Sequence, residues 1–159
     1  DFLAYKQEVL NDYVKNGGTL INQYNTSFNL KTKSISPYTL NLSRKRVTNE
    51  MAEVKINKPK HRLFNYPNTI NSSDFEYWVQ ERGLYFPESW GPEFEAVLSM
   101  NDRGEAPLQG GLLIAKYGKG HYIYTGLSFF RQLPAGVPGA IKLFTNMLSV
   151  SDLNKTVDN

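Results

Sequence analysis

The chain has 159 residues, 40% of them hydrophobic and 13% aromatic, with 18 basic against 15 acidic side chains. That length suffices for one domain with a buried core, and a formal charge of +3 is too small to imply a nucleic-acid partner without a concentrated patch. No run approaches the roughly 18 apolar residues of a membrane span, and the absence of cysteine excludes disulfides, thiolate zinc sites and a cysteine nucleophile. The densest basic run is Arg44-Lys45-Arg46, with Lys31 and Lys33 nearby; three charges in a polar loop read as a solvated face.

The chain starts at Asp1, without a Met, directly in a helical pattern, so we expect a fragment of a longer protein that lacks its first strand. Over residues 2–15, Phe2, Tyr5, Val9 and Tyr13, with Leu3, Leu10 and Val14 alongside, recur at the spacing of one buried helix face. Asn16-Gly17-Gly18 ends that helix, because glycine reaches the left-handed conformation of a C-terminal cap. Thr19 to Asn25 follows as a strand, and helix, double glycine and apolar strand together form half of a βαβ unit. The strand closes on Gln23, Tyr24 and Asn25. Ligands of open α/β sheets bind at the carboxyl ends of parallel strands, so these three are candidate site residues; the competing reading is that they cap the strand and bond the next loop.

Residues 26–50 are polar and long for a loop, with a short alternating edge strand over Thr39 to Ser43. Glu53 to Asn57 alternates as well, and Lys60 to Asn68 reads as an aromatic-bearing turn. Ser73 and Glu76 have capping-box spacing, which predicts a helix from Asp74 to Arg82, ending at Gly83, with Phe75, Trp78 and Val79 on one face. A strand-like Leu84-Tyr85-Phe86 follows, then a strand from Phe94 to Met100 and a turn-rich loop over residues 101–107. Leu112 to Tyr117 and His121 to Thr125 read as a hairpin closed by Gly118-Lys119-Gly120; His121, Ile123 and Thr125 face one way, Tyr122 and Tyr124 the other. A loop from Leu127 to Gly139 leads into a last helix, Ala140 to Val150, with Ile141, Phe144 and Leu148 buried and Leu143 and Met147 beside them. The tail from Ser151 is polar.

The available chemistry is limited. His61 and His121 are the two histidines, in different elements and without partners at metal-ligand spacing, so no metal site and no cofactor is expected. A serine nucleophile would need Ser128, His121 and Asp102 to converge, and there is no Gly-x-Ser-x-Gly elbow. A carboxylate pair, Glu81 with Asp102 or Glu105, is the other catalytic alternative on a sugar substrate. We assign no catalytic residue. What remains is non-covalent recognition: rings stack on apolar faces while planar polar groups make paired hydrogen bonds. Tyr85, Phe129, Phe130, Arg131 and Gln132 form that set, with Glu81, Arg82, Asp102 and Ser128 around it. Equally open is a structural role in which the aromatics plug the loop onto the sheet and Arg131 pairs with Glu81 or Asp102.

The strings Trp78 to Phe86 (WVQERGLYF), Leu98 to Asp102 (LSMND), Ala115 to Gly120 (AKYGKG) and Tyr124 to Ala140 (YTGLSFFRQLPAGVPGA) resemble the C-terminal domain of bacterial PIG-L-type de-N-acetylases. That domain is similar to the class I glutamine amidotransferase fold, as are the trehalose-utilisation and β-galactosidase-trimerisation domains. The resemblance implies an α/β, flavodoxin-like domain over residues 1–150, with a mostly parallel sheet flanked by helices and a C-terminal β-hairpin and helix. The amidotransferase cysteine is absent, and so is the His-Pro-Asp-Asp zinc motif of the deacetylase domain. The resemblance therefore implies a non-catalytic accessory domain whose partners are an N-terminal zinc deacetylase domain of the same polypeptide and an N-acetylated glycan, in a periplasmic or cell-surface protein. A hydrolase of its own, or a structural or oligomerisation module, are the alternatives.

Overall fold

The computed structural model describes residues 5–26, 28, 30–32 and 34–151. Its chain order is α1 (Gln7–Lys15), β1 (Thr19–Gln23), β2 (Leu40–Val47), β3 (Val54–Ile56), β4 (Gly83–Trp90), β5 (Phe94–Ala96), β6 (Leu98–Met100), β7 (Leu112–Tyr117), β8 (Gly120–Thr125), α2 (Phe129–Gln132) and α3 (Pro138–Leu148). Single 3₁₀ turns fall at Arg62–Phe64 and Ser72–Phe75. The chain is α/β, with a main sheet ordered β1-β8-β7-β5 and two-stranded ladders β2-β4 and β3-β6. Parallel pairing is confined to β1 on β8, the remaining ladders being antiparallel. The sheet is thus mixed, with less parallel pairing than a mostly parallel sheet would have.

The hairpin forms as its residues require. Gly118 takes φ 59° at the first position of a two-residue turn between Tyr117 and Gly120, where a side chain would also strike the Lys15 backbone. Alternation along β8 divides the core: Ile123 joins Ile114, Leu112 and the α3 residues Ala140, Leu143 and Met147, whereas Tyr122 and Tyr124 join Leu113, Ala115 and Phe94 in a second cluster. Burying one such aliphatic side chain contributes about 1.5–3 kcal/mol.

Four expectations are corrected. Along α1 and the turn before it the stripe of Tyr5, Val9 and Tyr13 is exposed, Tyr5 at 85%, and Val14 is the buried residue of α1; Phe2 and Leu3 lie outside the described residues, as do Lys33 and the tail beyond Ser151. In α3, Ile141 and Leu148 are exposed and the buried side is Ala140, Leu143, Asn146 and Met147. A polar residue sets that phase: Asn146 Nδ2 donates to the Leu63 and Asn68 carbonyls (2.8 and 2.7 Å) and its Oδ1 accepts from the Asn68 amide at 2.9 Å. The strand over residues 94–100 is two strands that part at Val97, β5 staying on the main sheet and β6 turning to β3.

The fourth correction concerns residues 74–82, which are not a helix. The capping box is Asn71 with Asp74, and the turn it starts ends at Phe75, with Glu76 extended at ψ 157°. Side chains occupy the groups that a longer helix would have paired. Trp78 Nε1 donates to the Asp74 carbonyl at 3.1 Å, Arg82 Nη1 donates to the Phe75 carbonyl, and the Val79 amide donates to Gln132 Oε1 at 2.8 Å. The segment thereby becomes an irregular strap that delivers Gln80 and Glu81 to the carboxyl end of β8.

Candidate functional site

Glu81 is the centre of the site. Its Oε1 accepts from Tyr24 Oη at 2.7 Å and from Arg131 Nε at 3.1 Å, and Arg131 Nη1 donates to Gln80 Oε1 at 2.5 Å. The Tyr24 ring stands edge-on to Tyr85 (centroids 5.2 Å) and to Phe130 (4.7 Å), and the Arg131 guanidinium lies 4.8 Å from the Phe130 centroid. Burial, followed by the hydrogen bond and negative charge of Glu81, pushes the Tyr24 hydroxyl well above the usual phenol range. It stays protonated and donates.

Local structure explains why these side chains meet. Tyr24 directly follows β1, where its amide donates to the Thr125 carbonyl at the end of β8 (2.9 Å), so it stands at the carboxyl end of the parallel pair. Between the pairs Lys45–Phe86 and Val47–Gly83, β4 has one residue more than β2. This bulge holds Tyr85 at φ 62°, and a bulge re-aims the side chain it carries. Tyr124 Oη donates to the Tyr85 carbonyl at 2.8 Å and fixes that turn. Gly83 crosses Gly126 so closely that a Cβ would lie 2.1 Å from the Gly126 oxygen, which brings β4 against the end of β8. Tyr24, Gln80 and Tyr85 all have left-handed backbone, with φ 57°, 68° and 62°. Such conformations cost roughly 1–3 kcal/mol each for non-glycine residues and cluster at functional sites.

Beneath this shelf lies a buried amide lock. Gln132 accepts from the Val79 amide at 2.8 Å and donates to the Val79 carbonyl and to Ser128 Oγ, both at 2.9 Å, while Ser128 Oγ donates to the Glu81 carbonyl at 2.9 Å. Both side chains are fully buried. They position the strap rather than face a ligand.

The structure thus brings together Tyr24, Glu81, Tyr85, Phe130 and Arg131 of the expected residues and sends the others elsewhere. Gln23 and Asn25 serve the turn after β1, Asn25 Nδ2 donating to the Gln23 carbonyl at 3.1 Å. Phe129 is core. Arg82 is 4% exposed and points away, donating to the Ala52 carbonyl through Nε (3.0 Å) and Nη2 (2.7 Å); burial lowers its guanidinium to about 10. Asp102 accepts from Thr48 and Asn49, and His121 Nδ1 meets Ser151 Oγ at 3.0 Å, so among the described residues no imidazole or carboxylate side chain is hydrogen-bonded to Ser128. Arg131 pairs internally with Glu81, as the structural alternative required. Gln80 was missed, because a helix over residues 74–82 would have turned it elsewhere; its place next to Glu81 was the available signal. Among the described residues no group of three or more histidine or acidic side chains is placed to hold a metal ion, and no helix is long and apolar enough to cross a membrane.

Fold and site together define an α/β chain whose sheet presents an aromatic shelf, with a carboxylate–guanidinium pair, at the carboxyl end of its parallel strands. No family model matches the chain and no curated protein matches it. The solved structure of Cytoplasmic Protein STM3548 from Salmonella typhimurium is similar, at 18% identity with a TM-score of 0.55, over 90% of this chain and 58% of that one. At that identity the likeness shows the fold. The chain spans 58% of that neighbour's length.

Proposed function

We propose that this chain is a non-catalytic accessory module that binds glycan on the shelf formed by Tyr24, Glu81, Tyr85, Phe130 and Arg131, within a PIG-L-type zinc de-N-acetylase. The observation that carries this reading is the convergence of three aromatic rings and a charged hydrogen-bonding pair on one sheet end, held by three left-handed non-glycine residues. Aromatic faces take the C–H side of a pyranose, and planar polar groups take its hydroxyls. Ser128, sealed under the strap and donating to a backbone carbonyl, supports recognition over hydrolysis. Export of the parent to the periplasm or cell surface belongs to the same proposal and is checked by cell fractionation.

The exposed stripe of Tyr5, Val9 and Tyr13 along α1 and the turn before it favours a second role, packing of this chain on the zinc deacetylase domain. Titration of N-acetylglucosamine oligomers, followed by calorimetry, separates the two. Saturable binding that weakens severalfold in Phe130→Ala and about tenfold or more in Arg131→Ala is expected, since a lost stacking contact costs about 0.5–1.5 kcal/mol and a lost charged hydrogen bond about 1.5–3 kcal/mol. No saturable binding at millimolar ligand would favour packing.

A further inference from the structure

We infer that the shelf reads a vicinal diol, two adjacent free hydroxyls of one neutral pyranose, and so takes the terminal residue of a glycan rather than its interior. This narrows the glycan reading above and rests on it. Glu81 and Arg131 meet through one edge of each group. Oε1 receives both internal hydrogen bonds of the carboxylate, while Nε and Nη1 of the guanidinium are spent on Glu81 and Gln80. Oε2 and Nη2 make no hydrogen bond among the described residues, and neither is sealed from solvent, although only 14% of the Glu81 and 35% of the Arg131 side chain is exposed.

The guanidinium is a rigid fork in which Nη2 lies on the same side as Nε–H, and Oε2 shares its carbon with Oε1. The free donor Nη2 and the free acceptor Oε2 thus belong to two groups already joined through the Nε–Oε1 hydrogen bond, with the guanidinium beside the Phe130 ring. That pairing selects among ligands. A phosphate or carboxylate brings acceptors and negative charge, which suits Arg131 and opposes Glu81; an ammonium brings donors and positive charge, which suits Glu81 and opposes Arg131. A hydroxyl donates and accepts. With two adjacent hydroxyls, one donates to Oε2 and its neighbour accepts from Nη2. In N-acetylglucosamine position 2 carries the acetamide, so the adjacent free pair on the ring is at positions 3 and 4, and a residue linked through either has lost it.

The test titrates the whole chain with N-acetylglucosamine, its 3-deoxy, 4-deoxy and 6-deoxy analogues, its 4-linked oligomers and inorganic phosphate, read by amide chemical shifts. The 3-deoxy and 4-deoxy sugars are expected to bind about tenfold more weakly than the parent, because each leaves one partly buried group unpaired. The 6-deoxy sugar should match the parent, and oligomers of every length should bind with the same affinity per molecule. Glu81→Gln should lower sugar affinity; Arg131→Lys, which keeps the charge and removes Nη2, gives a second variant should the first fail to fold. Deoxy sugars that bind like the parent, or affinity that grows with chain length, overturn the terminal-diol inference and leave the glycan reading standing. Phosphate binding tighter than sugar overturns the inference through its charge argument. No saturable sugar binding at all overturns the glycan reading itself.

Discussion

Replacing Gln132 by Met tests whether the strap is held by a side-chain amide. The two side chains have similar volume, so little cavity term enters. The loss is four hydrogen bonds, to the Val79 amide (2.8 Å), the Val79 carbonyl (2.9 Å), Ser128 Oγ (2.9 Å) and, at the longer distance of 3.4 Å, the Glu81 carbonyl. A neutral intramolecular hydrogen bond contributes about 1 kcal/mol net, and a buried partner left unpaired costs about 1–3 kcal/mol. The Val79 groups lie in a part-buried setting, where water reaches some of the orphaned positions, so the expected loss is about 3 kcal/mol. For a chain of 159 residues that corresponds to about 6–12 °C in Tm. Urea unfolding is the direct assay: the midpoint should fall with the m-value unchanged. Gln132→Glu retains the acceptor but sets a carboxylate against the Val79 carbonyl, and should cost at least as much. A loss below about 0.5 kcal/mol for Gln132→Met would mean that the strap is held by Trp78 and Arg82 alone, and that the amide lock is not structural.

Acid sensitivity follows from His61, whose Nδ1 accepts from the Leu63 amide at 3.1 Å and must therefore be unprotonated. Burial lowers its pKa from 6.5, with Glu95 raising it and Lys58 lowering it by less. A folded value below the unfolded one means stability that is present above 6.5 and lost as pH falls through the folded pKa. His61→Asn, whose Oδ1 can make the same cap, should flatten part of that acid limb in urea midpoints taken from about pH 7 to about pH 5; His121, lowered by burial and by Lys116, keeps the remainder. An unchanged limb would exclude His61 as a contributor. Tyr77 is left-handed at φ 60° and 79% exposed, outside the aromatic shelf. Tyr77→Gly should therefore raise stability by about 0.5–1 kcal/mol, the relief of backbone strain less the added unfolded-state entropy; a loss of stability would show that the ring makes contacts of value.

Much of the main sheet was legible because it obeys local rules. Helix, Gly17 cap and β1 follow from spacing and from glycine at φ 113°, and the hairpin follows from Gly118 and from period-two alternation, which also assigned Ile123 and Tyr124 to opposite cores. Tyr24 could be placed at the site because a residue at the carboxyl end of a parallel strand has few other places to point. Two of the failures, in α3 and over residues 74–82, share a different cause. Periodicity assumes that polar side chains face water, and in α3 the buried Asn146 breaks that assumption by bonding the peptide groups of a distant loop.

The strap over residues 74–82 fails for the same reason on a larger scale. Its sequence has a helix cap and helical spacing, but Arg82, Trp78 and Gln132 take the carbonyls and the amide that helix continuation would need. A side-chain donor that satisfies a backbone group from far along the chain leaves no signature in a local window. Asn146 and Gln132 are the same device used twice, a carboxamide pairing with a peptide unit, and each time it holds an irregular segment in a defined place. For Asn146 the outcome is a fixed loop against α3. For Gln132 it is the delivery of Gln80 and Glu81 beside Arg131, so the least legible segment of the chain is the one that assembles the shelf. Irregular backbone that is this fully hydrogen-bonded can hold Glu81 Oε2 and Arg131 Nη2 ready without first being ordered by a ligand, which lowers the entropy cost of binding.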